Sequence, residues 1–207
     1  MRFIIIFIFF YSSAIAGEVP DLKNLIINEK LKKYDEITFL DIETTHLDPK
    51  KSAILSISII TDWDNGQQDV WTTKIRPADI EIEYASPEAL SVCKYDFDEW
   101  MDAPPLKDVA DKIINKLKYG PLLAHNIQFD ISHLKAVLTR YGYKDVRFGY
   151  PLIDTCALAY LFLPTERQNM TALREHFNIT KEGEHTAEKD VLDCREIFYK
   201  IIGSLND

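Results

Sequence analysis

The sequence predicts an α/β sandwich built on a mixed sheet. Three observations carry that expectation. Residues 37–75 read as three consecutive strands with turn signals between them. Residues 106–202 read as helices alternating with short apolar strands. No repeat or low-complexity tract interrupts either half. A meander followed by helix–strand alternation puts antiparallel and parallel pairs in one sheet, with helices covering it.

The amino terminus stands apart. Met1-Arg2 precedes an uncharged, largely Phe and Ile run that reaches Ala16, and Ala14-Ile15-Ala16 forms a small-x-small step before Gly17. This pattern predicts a signal peptide over residues 1–16, cleavage after Ala16 and export to a periplasmic or secreted location. The run is shorter than the roughly 20 apolar residues of a transmembrane helix. An uncleaved anchor, a mistaken start and, least favoured because no face is polar, a buried helix are the alternatives, and without a signal the location is cytoplasmic. Residues 17–35 form a lead-in, in which Leu22, Leu25, Ile26 and Leu31 suggest a short helix. One domain, residues 36–207, follows.

The elements of that domain are justified in turn. Ile37 to Ile42 is the first strand, and Asp48-Pro49-Lys50-Lys51 is a turn. Ala53 to Ile60 is rich in β-branched residues, so it is the second strand. Asp64-Asn65-Gly66 is a hairpin signal, and the third strand runs from Gln68 to Ile75. Between 77 and 104 only Ser86-Pro87-Glu88-Ala89-Leu90 is legible, as a helix start. Leu106, Val109, Ile113 and Leu117 recur at helical spacing until Gly120-Pro121 stops them. Pro121 to Ala124 is a short buried strand. Ile127, Ile131, Leu134, Leu138 and Tyr141 mark the next helix, ended by Gly142. Pro151 to Ile153 is a fifth strand, leading into a helix over Thr155 to Leu163. A short helix covers Met170 to Phe177. The last helix runs from Thr186 to Ile202, with Val191, Cys194, Phe198 and Ile201 or Ile202 inward.

Composition narrows the function. The 207 residues are 46% hydrophobic and 28% charged, which suits one domain with a core of its own. A net charge of −9 argues against a broad electrostatic grip on duplex nucleic acid. It leaves room for a small site that takes a strand end through metal ions. Cys93, Cys156 and Cys194 form no Cys-x-x-Cys pair, so neither a zinc nor a redox motif is present. Cys156 and Cys194 fall in apolar helical patterns, as buried thiols.

The chemistry concentrates at the tip of the first strand. Asp41 and Glu43 project from one face, because strand side chains alternate. Alone, the pair reads as a solvated strand end. If it is buried, two adjacent carboxylates need a counter-charge, and a divalent cation such as Mg²⁺ or Mn²⁺ is the simplest. Asp130 lies in the first turn of the helix after the buried strand, where backbone N–H groups favour a carboxylate. His185 and Asp190 sit about 500° of helical rotation apart, so they share no helix face. They converge only if His185 lies on the approach loop, which Gly183 makes feasible. Asp154 caps the helix at Thr155.

These pieces, in this order, resemble the DEDDh exonucleases, the DnaQ-like, epsilon-like proofreading 3′–5′ exonucleases of the ribonuclease H-like superfamily. The first motif is Asp41-Ile42-Glu43-Thr44-Thr45-His46-Leu47, the second His125-Asn126-Ile127-Gln128-Phe129-Asp130, and the third His185 through Asp190. Asp154-Thr155, Leu158, Leu161, Leu173 and Asn178-Ile179 resemble the segment linking the second motif to the third. The resemblance covers residues 36 to 202. One departure is visible: His46 stands where the family usually has Gly, a residue that permits positive φ or close approach.

The resemblance implies a ribonuclease H-like five-stranded mixed sheet, with an antiparallel meander and then βαβ units, flanked by helices. It makes Asp41, Glu43, Asp130 and Asp190 the ligands of two divalent cations, about 4 Å apart across the scissile phosphate. It makes His185 the general base, a role that suits free imidazole, which titrates near pH 6.5. Thr44, Thr45 and Leu47 would seat the 3′-terminal nucleotide, with Asn126 and Phe129 supporting the pocket. The reaction implied is hydrolysis of single-stranded DNA or RNA from the 3′ end to nucleoside 5′-monophosphates. Arg140, Lys144, Arg147, Arg167, Arg174 and Lys189 lie along a possible strand path, but solvated helix surface is the expectation for them. Two rivals stay open: a catalytically weak module that binds nucleic acid or a partner, and an exoribonuclease restricted to short oligonucleotides. The intact five-residue set argues against the first. DNA and RNA are not distinguished.

Overall fold

A computed structural model describes residues 30–204. Strand β1 spans Glu36–Thr44, β2 Ile54–Trp63 and β3 Gln68–Lys74. Three short helices follow, α1 over Asp79–Glu83, α2 over Pro87–Val92 and α3 over Phe97–Met101. Then come α4 (Leu106–Lys116), β4 (Leu122–Ala124), α5 (Ile127–Arg140), β5 (Leu152–Asp154), α6 (Thr155–Phe162), α7 (Met170–Phe177) and α8 (Ala187–Ser204). The sheet order is β3-β2-β1-β4-β5, antiparallel from β3 to β1 and parallel from β1 to β5. The mixed α/β sheet expected from the meander and the later alternation is the one observed.

Local chemistry explains the connections. The β2–β3 hairpin turns through Gly66 at φ +81, and the Trp63 N–H donates to the Gln67 carbonyl. The Gly66 N–H also donates to the Trp63 carbonyl, so Asp64-Asn65-Gly66 is a three-residue loop whose last position needs a left-handed residue. Ser86 caps α2 by accepting from the Ala89 N–H, and Pro87 occupies its first turn. Gly120, at φ +61, lets the chain pass from α4 to β4. A Cβ there would lie 2.6 Å from the Glu36 carbonyl oxygen, so any side chain would push β1 and β4 apart.

Two cores form on opposite faces of the sheet. Leu40, Ile42, Ile57 and Ile59 pack with Leu106 and Ile113 of α4 and Ile131, Leu134 and Leu138 of α5. Phe39, Ile60 and Leu123 pack with Val191, Cys194 and Phe198 of α8. The Phe39 and Phe198 rings meet edge to face at 5.5 Å, and removing either ring would cost about 3–5 kcal/mol. Because β1 alternates, Phe39, Asp41 and Glu43 share the face that looks toward α8. The apolar contact at Phe39 therefore sets where the two acids point.

Some expectations shift. β1 runs on to Thr44 and β2 to Trp63, because ladder pairing continues past the apolar runs. Residues 77–104 hold α1, α2 and α3, too short for periodicity to reveal. Cys194 is buried as expected, but Cys156 is only half-buried. His46 is not among the described residues with positive φ. Its Nδ1 instead accepts from the Asp48 N–H at 2.8 Å, closing a turn that needs no glycine. The signal peptide and Leu22, Leu25 and Ile26 of the lead-in lie outside the described residues. Among the described residues, no helix is long and apolar enough to cross a membrane.

Candidate active site

The site forms at the carboxyl ends of the parallel strands, where β1 stops at a register shift between Glu43 and Thr44. One carboxylate oxygen each from Asp41, Glu43 and Asp190 lie within 4.8 Å of one another. Asp190 reaches the group from the first turn of α8, whose next turns are held to β1 by Val191 and Cys194. Asp130, in the first turn of α5, is buried beside Asp41 but stands outside that close group of three.

The four acids are short of positive charge. Burial, first, raises the Asp41 carboxyl well above the usual carboxylate range, and the charges of Asp130, Asp190 and Glu43 raise it further. Burial likewise raises Asp130, while its own N–H and that of Ile42 partly offset the rise. Burial raises Glu43 and Asp190 as well. Asp130 is buried and the other three acids are half-buried; carboxylates crowded together out of water are costly, so a set of this kind stands only where a cation neutralises it or protons do. Oxygen-only ligands at this density suit a hard divalent cation, and the residues present fit one.

His185 lies on the loop before α8, at φ +63, and is exposed. Its charge lowers the carboxyls of both Glu43 and Asp190, so the loop lies within electrostatic reach of the three acids, outside the group that meets within 4.8 Å. His185 thus lies on the approach loop, as the spacing to Asp190 requires for the two to serve one site. Thr186 holds the turn: its hydroxyl donates to the Gly183 carbonyl and accepts from the Lys189 N–H.

The substrate-side residues divide. Thr44, Leu47 and Phe129 line a cleft of about 250 Å³ with Ile42, Glu43 and, from α2, Glu88, Ala89, Val92 and Cys93. Leu47 is 78% exposed at its rim. Thr45 is fully buried, and its hydroxyl accepts from the Ala53 N–H at 2.8 Å, so it braces the chain beneath the cleft and does not line it. Asn126 adopts a left-handed turn at the start of α5 and is not in the cleft lining. Asp154, read as a helix cap, accepts from the Cys156 N–H at 2.9 Å and also from the Asn126 N–H at 2.9 Å. It thereby ties β5 to the turn that carries Asp130.

Two residues near the acids escape sequence reasoning. The Cys93 thiol donates to Glu43 Oε2 at 3.0 Å, and burial pushes that thiol far above its usual range. No signal marks it, because α2 lies in the stretch that has no readable period. Arg174, expected on solvated helix surface, is 1% exposed and pairs with Asp190, Asp193 and Glu184. Arg140 pairs with Glu81 and Lys189 with Asp193, so neither is a free cation.

A mixed sheet whose central strand ends in acids, joined by acids from two helix starts and a histidine from a loop, defines a metal-binding nuclease class of site. Residues 38–198 match the RNase_T family model, described as exonuclease. The chain belongs to this exonuclease family, and its motifs are of the DEDDh, DnaQ-like kind. The PolC-type DNA polymerase III of Clostridium perfringens is 27% identical over 175 residues, covering 84% of this chain and 12% of that protein. This chain thus spans only a small part of that relative. The DNA polymerase III subunit epsilon of Treponema pallidum is 27% identical over 169 residues, covering 80% of this chain and 75% of that one. The nuclease domain of 3′hExo, a DEDDh family member bound to rAMP, superposes with a TM-score of 0.67 at 19% identity, covering 83% of this chain and 93% of that one. That likeness shows the fold.

Proposed function

We propose that this chain is a 3′–5′ exonuclease that hydrolyses single-stranded DNA or RNA from the 3′ end to nucleoside 5′-monophosphates, using Mg²⁺ or Mn²⁺. The observation that carries the reading is the set of three carboxylates within 4.8 Å at the end of β1, with His185 within electrostatic reach of it. Asp41, Glu43 and Asp190 would hold one cation, and Asp130 with Asp41 a second. Bound there, such cations supply charge stabilisation to a phosphodiester and acidify water. The 3′hExo nuclease domain, which shares this fold, binds rAMP, and that supports a nucleotide ligand for this chain.

The chain's own residues do the rest. The cleft at Thr44, Leu47 and Phe129 receives the terminal base and sugar, and Leu47 at its rim separates that base from its neighbour. The Glu43 carboxylate is aimed by the Cys93 thiol. His185, on an exposed loop at the cluster, takes the proton of the attacking water and passes it to solvent. A phosphate bound through cations explains how a chain of net charge −9 holds a polyanion. The deciding experiment is digestion of 3′-labelled and 5′-labelled DNA and RNA strands with Mg²⁺. Labelled mononucleotide released at once from the 3′-labelled strand supports the reading. Release from the 5′ end first, or none at all, overturns it.

A further inference from the structure

Arg174 is an internal cation, and its neighbours are not arbitrary. It extends from α7 with Nε 2.6 Å from Asp193 Oδ2, Nη2 2.5 Å from Asp190 Oδ1 and Nη1 3.4 Å from Glu184 Oε2. Asp190 and Asp193 lie one turn apart on α8 and so present two carboxylates to one guanidinium fork. Asp193 is itself buried and takes a second partner in Lys189. Glu184 belongs to no helix: it immediately precedes His185. Its backbone carbonyl accepts from Lys94 Nζ at 3.0 Å. The loop that carries His185 is thus held by Arg174 through the Glu184 side chain and by Lys94 through the Glu184 backbone. Thr186 anchors its far side.

We propose that Arg174 is a positioning residue, whose guanidinium sets the separation between the His185 loop and the carboxylate cluster by gripping Glu184 and Asp190 together. The inference rests on the exonuclease reading for its kinetic consequence, but not for its geometry. By holding Asp190 Oδ1, Arg174 fixes the carboxylate that comes within 4.8 Å of Asp41 and Glu43. By holding Glu184, it carries His185 to the same place. Lysine cannot substitute. Its compact ammonium lacks the planar fork that meets three carboxylates in three directions.

The test uses full-length wild type, Arg174→Lys and Glu184→Gln. Each is measured for thermal midpoint without metal, for Mn²⁺ binding by calorimetry, and for kcat and KM on a single-stranded oligonucleotide at saturating Mn²⁺. Arg174→Lys is expected to bind Mn²⁺ about 10-fold more weakly and to lose about 10-fold or more in kcat, the usual scale when a ligand's hydrogen-bond partner is altered. KM should stay within about two-fold, since no strand contact is lost. Glu184→Gln should keep the wild-type Mn²⁺ isotherm and lose kcat alone, because it touches the loop and not the ligand. A purely structural role would not split the two variants in this way. If Arg174→Lys does not fold, Arg174→Met with Asp193→Leu replaces the buried pair by apolar side chains, an exchange that folded proteins tolerate. The same losses are expected of it. A folded variant at Arg174 with wild-type Mn²⁺ affinity and kcat overturns the proposal, and wild-type kcat in Glu184→Gln overturns its loop half. If wild type releases no nucleotide, the exonuclease reading fails. The two Mn²⁺ isotherms then still decide whether Arg174 positions Asp190.

Discussion

Two clusters of charge meet at the start of α8, and they are opposite in kind. Around Arg174, Asp193 and Lys189, each charge has a partner: Asp193 is 2% exposed yet paired twice. Around Asp41, Glu43 and Asp130, carboxylates face one another, and burial drives their carboxyls upward. Asp190 belongs to both, bonded to Arg174 on one side and close to Asp41 and Glu43 on the other. The difference teaches where to look for chemistry. A satisfied buried network holds structure, and an unsatisfied one waits for a ligand.

The sharpest way to break the comparison is to remove an acid from the unsatisfied side. Asp41→Ala should abolish hydrolysis and weaken divalent-cation binding in calorimetry, yet raise the metal-free thermal midpoint, because a desolvated carboxylate repelled by Asp130, Asp190 and Glu43 is gone. A variant that hydrolyses at the wild-type rate removes Asp41 from the site. His185→Ala should slow turnover by roughly 10²–10⁴-fold and leave the metal isotherm intact. Joint loss of rate and metal would make His185 a ligand.

Removing an acid from the satisfied side should do the reverse. Asp193→Ala should destabilise the fold by about 3 kcal/mol, as breaking a buried ion pair does. That corresponds to a thermal midpoint lower by about 6–12 °C in a chain of this size. Stability equal to wild type would show the pair to be dispensable.

The pH dependence sharpens the contrast further. The raised carboxyls at Asp41, Asp130 and Glu43 bind more protons folded than unfolded at pH values above the ordinary carboxylate range. Metal-free stability should therefore be highest at or below that range and fall as pH rises from it toward the raised values of the folded state. Divalent cation should remove the slope, since it replaces the protons. Thermal melts at about pH 5 and about pH 7.5, with and without Mg²⁺, check this; a metal-free midpoint that climbs with pH contradicts it. The smallest effect belongs to Cys93→Ala. Losing one hydrogen bond to Glu43 should weaken metal binding only a few-fold, on the order of 1 kcal/mol, and an unchanged isotherm would make the thiol a spectator.

Much of this protein is legible in its sequence. Alternation put Asp41 and Glu43 on one face, and β1 bears that out. The rotation between His185 and Asp190 required a loop, and His185 lies on one at φ +63. What stayed hidden lies where period carries no information. Helices α1 to α3 have five or six residues each, less than two turns, so no apolar stripe can form and Cys93 is invisible. Arg174 misled for a related reason. A cation on a short amphipathic helix reads as surface, and only the packing of α7 on α8 turns it inward. Thr45 misled differently, because motif position suggested a substrate contact while the ladder to Ala53 claimed its hydroxyl.

The sequence by itself determined the mixed sheet, the three acidic motifs and their order, because strand and helix periods and turn residues are local properties. Tertiary structure alone decided which acids share one point in space. It brought Asp190 to Asp41 and Glu43 across about 150 residues of chain, set Asp130 just behind them, and gave Asp190 a cation that the others lack. Charge balance in a buried site depends on every element packed around it, and that sum is not written along the chain.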